Sequence, residues 1–475
     1  MLNVHLRIND SQTGKPTPVR VRIAASDGTH FMPLGRSVEF PTGRNEAVGG
    51  CLKLGGERWF YTDGSCEVPL PGGVPLRVQA TKGPGYHPLD ETVTLGPGQL
   101  TLRLVLRRWE GGSESGWLSV DMRSHFLSPH DAVLEAAAEG IDVVNLLATV
   151  QPFPSLDGTA YQTVPNLTAF SGQTATLERH GTAVIVNTLN THPVLGKVGL
   201  LHSHRPVFPL TFGGDEPDDW GICDWCDQCH RKGGLTVWVD AFEPAGGIMG
   251  GEALVAAILG KIDAIEVPTA TRKVPLLPWV YTLWNAGVLV PLVGSSGKDS
   301  NKTLLGAMRT IVRLDDTSPP VATGGASGGW VAAIRAGRTV ATSGPRIDFT
   351  VSRSAMHAAV SSLTRGWELE LIANGQVVVS GVDPGSQTPA TLASTFGTNC
   401  WVAARVRAAN GAFAHTSPVA AGTPTRTPEA VAALRKLIEQ TREWAMQHGQ
   451  YANTKRREQL LARCDEAIAT LETTP

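Results

Sequence analysis

Between residues 113 and 345 the chain carries a series of short, near-continuous apolar runs, at Leu118–Val120, Ile141–Leu147, Ala183–Val186, Leu235–Val239, Ala264–Val267 and Val288–Val293. Runs of this kind are strands buried on both faces, which is what a parallel sheet flanked by helices requires. Helical patterns lie between them, at about 129–139, 218–232, 252–260, 275–286, 304–308 and 328–336. Ser128 before Pro129 reads as an N-cap with proline at the first helical position, and Gly140 as the cap that ends that helix. Repeated βα units either close into a barrel or form a doubly wound sheet.

The flanks read differently. Residues 1–109 alternate like half-buried strands, with Val4, Leu6 and Ile8 on one face, and Asp27-Gly28 and Asp63-Gly64 read as hairpin turns. Residues 346–422 return to strands, with Asn374-Gly375 as a turn. From Thr427 and Pro428 the tail is helical to about residue 472, broken near Gly449, with Val431, Leu434, Leu437, Ile438 and Trp444 in one stripe. The expected architecture is therefore multidomain α/β plus β: β-sandwich (1–109), α/β unit (113–345), second β-sandwich (346–422) and helical hairpin (427–472).

At 475 residues several domains are expected, and a net charge of −2 gives no bulk attraction to nucleic acid or anionic membranes. No run of apolar residues is long enough to span a bilayer. The N-terminus enters a strand directly, without the pattern of a signal peptide, and the seven cysteines are irregularly spaced, so a cytoplasmic location is expected. The helical tail offers a surface for a homo-oligomer.

The chemistry centres on Asp121-Met-Arg123-Ser-His125. Side chains two apart on a strand share a face, so Asp-x-His-x-His at a strand end can present two imidazoles to one metal. Here Arg123 stands in the first histidine's place, and a guanidinium is no metal ligand. Cys223, Cys226, Cys229 and His230 have a ligand-rich spacing, but at i, i+3 and i+6 on a helix they also read as core. His192, His202 and His204 cluster in one region, with His192 past a strand end. Gly294–Asn301 resembles a phosphate loop without Walker spacing, Asp215–Asp219 reads as a solvated acidic loop, and the tryptophans read as core, with a sugar platform as the alternative.

The stretch from Asp121 through Gly140–Leu147, with Glu178–Asn187, Gly196–Leu201, Gly233–Trp238, Gly260–Val267, Val293–Gly297 and Ala336–Pro345, resembles the polymerase-and-histidinol-phosphatase (PHP) superfamily in its carbaryl-hydrolase-like (CehA/McbA) branch. The resemblance implies a distorted (β/α)7 barrel with a multinuclear metal centre at the carboxyl ends of its strands. A metal-bound hydroxide there would attack phosphate or carbamate esters. Carried over residue by residue, the ligand set is largely replaced. The first histidine is Arg123, while His125 is retained. An acidic ligand falls near Asn187, a Gly-His at Gly196-Lys197, a histidine at Asp240, and the closing Ser-Asp-x-His at Ser296-Gly297-Lys298-Asp299.

The candidate site thus comprises Asp121, His125, Asp240 and Asp299 for catalysis. Arg123, Lys197, Lys298, Asn187, His192 and Glu266 are the candidates for binding. Asp121, His125 and Asp240 are what remains to hold a divalent zinc, manganese or iron, and three cations in ligand places argue against such a metal. Three readings follow: a hydrolase-like protein or pseudoenzyme, a binding protein for a small anionic or sugar ligand, and an assembly scaffold.

Overall fold

The computed structural model describes residues 1–34, 48–109, 116–154, 160–214, 217–269, 273–315, 329–385 and 390–473. The chain is mixed α/β and strand-rich, with several sheets and seven α-helices among the described residues. The central sheet is built on β1 (Trp117–Ser124), β2 (Val143–Ala148), β3 (Thr182–His192), β4 (Gly196–Leu201), β5 (Leu235–Val239), β6 (Ala264–Pro268) and β7 (Leu292–Ser295). These lie side by side in the order β7-β6-β5-β4-β3-β2-β1. The run then curls back on itself. Gly297 N–H donates to Arg123 O at 3.0 Å, and His125 N–H to Lys298 O at 2.6 Å, joining the residues after β7 to the end of β1.

Most alternate strand positions facing the interior of this ring are apolar: Leu118, Val120, Val143, Leu147, Ile185, Val237 and Val293 share one cluster, with Asn145 and Asn187 bonded to each other on the same face. Helix α1 (Pro129–Glu139) packs outside, burying Ala132, Val133 and Ala136 against Val144, Val184 and Val186. Its cap is the expected one, with Ser128 Oγ accepting from Asp131 N–H and Gly140 in the left-handed region. Outside also lie α2 (Ile222–Arg231), α3 (Gly251–Ile258) and α4 (Leu276–Asn285). The short α5 (Gly329–Arg335) instead adds Trp330, Val331, Ala333 and Ile334 to the interior cluster. Its Arg335 bonds Gly234 O and Asp263, at the starts of β5 and β6, so α5 closes the amino end and leaves the carboxyl end for polar groups.

The structure corrects the purely parallel expectation. β4 runs antiparallel to both β3 and β5. Only Pro193, Val194 and Leu195 separate β3 from β4, whereas a parallel crossover needs a dozen or so residues. The helix expected at 304–308 is absent: there Gly306 gives its N–H to Asp121 and its carbonyl to Arg309. The strand expected from Val288 begins only at Leu292.

In the N-terminal region a three-stranded and a six-stranded sheet enclose Val4, Leu6, Ile8, Val21, Phe60 and Leu104, a β-sandwich. Asp63-Gly64 is not a hairpin turn. Strand Glu57–Thr62 pairs within the larger sheet and Ser65–Leu70 within the smaller, so this turn crosses between layers. At Gly64 (φ +106°) a side chain would strike the Thr17 backbone. At the other end the expected boundary near 345 is no break in the hydrogen bonding. From β1 the sheet continues through β8 (Arg309–Arg313) and β9 (Thr339–Thr342) to strands Phe413–Thr416, Cys400–Ala408, Trp367–Ala373 and Gln376–Val382. A small sheet of Arg346–Val351, Ala355–Ser361 and Ala390–Thr395 covers that extension across a shared apolar core.

The tail forms α6 (Pro428–Gln447) and α7 (Thr454–Glu472). Leu434, Ile438, Leu460 and Cys464 belong to the same cluster as Ile222, Leu254 and Trp284, so the stripe of the tail packs as core within the chain itself. The dock is also ionic. Glu252, fully buried, accepts from Arg456 Nη2 (3.1 Å), Arg463 Nη1 (3.0 Å) and the Ile222 N–H (3.0 Å) that opens α2. Arg463 also bonds Asp224. No helix among the described residues is long and apolar enough to cross a membrane.

Removing one member of a buried ion network leaves its partners charged and unpaired. Glu252→Gln is therefore expected to destabilise the fold by roughly 3–5 kcal/mol in urea unfolding. Arg435→Ala, which removes ion pairs with the exposed Glu439 and Glu472, is expected to leave the midpoint unchanged.

Candidate functional site

The carboxyl end of the strand ring gathers most of the singled-out residues, but in roles set by pairing. Asp121 is fully buried. Its Oδ1 accepts from the N–H groups of Arg123 (3.2 Å) and Ser296 (3.1 Å), and its Oδ2 from Gly306 N–H (2.9 Å). Burial pushes its acidity toward the protonated form while these donors oppose the shift. The carboxylate pins the loop after β7 to the end of β1.

Arg123 reaches across the mouth to Glu266 on β6 with two bonds, Nε–Oε1 at 2.6 Å and Nη2–Oε2 at 3.2 Å. Only 1% of the Glu266 side chain is exposed, and Ser295 adds a hydroxyl to the same carboxylate. Burial works against the Arg123 charge, but Glu266 and then Asp240 hold it firmly protonated. Next to it, Lys197 Nζ bonds Asp240 Oδ2 at 2.7 Å, with 46% and 31% of the two side chains exposed. The sheet register sets that pair, because Lys197 lies opposite Val239.

His125 is 4% exposed and its Nδ1 lies 3.0 Å from Leu147 O, so Nδ1 carries the hydrogen of the neutral ring. Burial and then the Arg123 charge push its pKa down to about 4, with the Asp299 and Asp240 charges opposing. Asp299 itself is exposed at the rim.

The other candidates lie elsewhere. Lys298 is buried and bonds Thr303 O (2.9 Å), Ser300 O (3.3 Å) and Glu135 of α1 (3.3 Å), so it is no free cation at the mouth. Burial raises the Glu135 pKa to about 7 against the pull of Lys298. Asn187 is an interior bridge that donates to Asn145 Oδ1 and accepts from His202 N–H. His192 is buried beside the β3–β4 connection. Its Nδ1 accepts from the N–H groups of Val194 (3.0 Å) and Leu195 (2.8 Å), and its Nε2 donates to Asp218 (3.1 Å). His202 lies against Trp330 and His204 bonds Lys232 O, so they form no ligand pair.

The expected acidic loop is corrected in part: Asp215 and Glu216 lie outside the described residues, but Asp218 is buried on His192 rather than solvated. Cys223, Cys226 and Cys229 are buried core, their thiols pushed up by burial, and His230 turns to Asp263 (2.8 Å). In the Gly294–Asn301 loop, Asn301 accepts from Gly49 N–H, a link to the N-terminal region rather than a phosphate cradle. Trp225, Trp238, Trp284, Trp330 and Trp401 are fully buried, not sugar platforms.

These residues do not fit a divalent metal centre. Among the described residues no three His, Cys, Asp or Glu side chains converge. Asp121, Glu266 and Asp240 already serve other donors, and two cations stand among them.

Motif reading missed the cavity of 360 Å³ beside the Lys197–Asp240 pair, whose wall includes Trp238, Phe242, Glu243 and Lys273. It also missed that Asp240 (φ 52°) and Phe242 (φ 61°) adopt left-handed backbone, rare for an aromatic residue. Lys273 lies far from any motif, and no local signal marks it.

No family model, no curated protein and no solved structure matches the chain.

Two outcomes follow. Arg123→Met should cost about 3–5 kcal/mol by leaving Glu266 buried and unpaired, and Arg123→Met with Glu266→Leu should regain most of it in a double-mutant cycle. His125 has a depressed folded-state pKa, so the unfolded chain binds more protons between pH 6.5 and about 4. Its contribution is complete above pH 6.5 and declines as pH falls toward 4, by at most about 3 kcal/mol. Urea midpoints at pH 7 and 4.5 should therefore differ less in His125→Gln than in the parent chain.

Proposed function

We propose that this chain is a PHP-type barrel protein that does not carry out metal-dependent hydrolysis, and that it binds a small polar ligand at the carboxyl end of its strands. The observation that carries the reading is the Arg123–Glu266 pair. Arg123 occupies the place that the resemblance gives to a histidine ligand, and its guanidinium supplies positive charge there without a metal. The seven-strand ring with its reversed β4 and plugged amino end supports the distorted (β/α)7 comparison.

The residues present also argue against a substitute hydrolytic mechanism. The Ser295 hydroxyl donates to Glu266, a carboxylate neutralised by Arg123, so that serine has no free base to activate it. His125 is neutral near pH 7, with its Nδ1 hydrogen held by Leu147 O. Such a ring orients and accepts a hydrogen bond at Nε2. The mouth is thus suited to holding a ligand rather than to generating hydroxide.

The test is elemental analysis of untagged protein, with assays of phosphodiester and carbamate esters in added manganese or zinc. The expected result is substoichiometric metal and no chelator-sensitive turnover. A full equivalent of retained metal with hydrolysis abolished by chelator would overturn the reading.

A further inference from the structure

The cavity beside the mouth points to a particular ligand chemistry; the inference rests on the binding reading above. Its wall combines two ammonium groups, Lys197 and Lys273, and two carboxylates, Asp240 and Glu243, over the buried Trp238 and Phe242. At 360 Å³ it lies near the lower end of ligand pockets, which run from about 300 to 1,000 Å³. That suits an amino acid or a very short peptide better than a nucleotide.

The charges select further. A phosphate or other dianion would meet both lysines but also two carboxylates, and like charges placed together disfavour it. A zwitterion matches the wall, because its carboxylate can take a lysine while its ammonium takes an acid. The Lys197–Asp240 pair is the natural point of exchange. It is partly exposed, and exposed ion pairs are worth only about 0–1 kcal/mol, so separating it costs little. The buried, two-bond Arg123–Glu266 pair next to it does not open that way. The left-handed Asp240 and Phe242 place this wall on strained backbone, a feature that collects at ligand sites.

We infer that the cavity binds a small zwitterion, an α-amino acid or dipeptide, its carboxylate on Lys197 and Lys273 and its ammonium on Asp240 and Glu243.

Calorimetric titration of the full chain with L-phenylalanine and L-leucine tests this, with N-acetyl-L-phenylalanine, L-phenylalanine amide and inorganic phosphate as comparisons. The expected result is binding of a free amino acid, weakened about tenfold or more when either ligand charge is removed. Lys197→Met and Asp240→Asn should each weaken it comparably. Both variants suit the fold: Lys197 is half exposed, and asparagine readily takes the left-handed backbone of position 240. No binding of either amino acid, binding indifferent to both substitutions, or tighter binding of phosphate would overturn the proposal. Failure here leaves the binding reading standing, whereas chelator-sensitive ester hydrolysis would remove that reading itself.

Discussion

The buried carboxylate of Asp121 is the constraint on which the mouth depends. It receives N–H groups from its own strand at Arg123 and from the loop after β7 at Ser296 and Gly306. Those bonds bring Gly297 and Lys298 alongside Arg123 and His125, where the backbone closes the ring. Closure then brings Glu266 within reach of Arg123 and carries Lys298 back to Glu135 on the outer helix. A buried anion satisfied by backbone donors is costly to disturb, which makes this residue a fixed point rather than a movable acid.

Around that point two kinds of ion pair divide the work. Arg123–Glu266 and the Glu252–Arg456–Arg463 group are buried, and they set how strands and helices meet. Buried pairs of this type contribute modest net stability but are costly to break singly. Lys197–Asp240 is partly open to solvent beside a cavity, so it can trade partners with a ligand. The same residue types give architecture in one place and adaptability in the other, and solvent access decides which.

Much of the fold was legible locally. The apolar runs at Leu235–Val239 and Ala264–Val267, the Ser128–Pro129 start and Gly140 stop of α1, the turn at Asn374-Gly375 and the stripe of α6 follow from periodicity and backbone preference. The reversal of β4 was legible in principle from the three residues before it, but a buried strand's composition does not depend on its direction. The turn at Asp63-Gly64 was misread because hairpin chemistry and a crossing between layers use the same residues.

Read along the chain, the residues fixed most strand and helix positions with their apolar faces, and a permanent positive charge at Arg123. Those properties rest on side-chain period, turn preference and a charge that no fold can remove. Which charges meet depends on contacts across the fold. Those contacts turned the Lys298 ammonium away to Glu135, turned His192 to Asp218 and brought Lys273 to the wall of the cavity. Ion pairing and burial act through space between residues far apart along the chain, and no spacing rule encodes them.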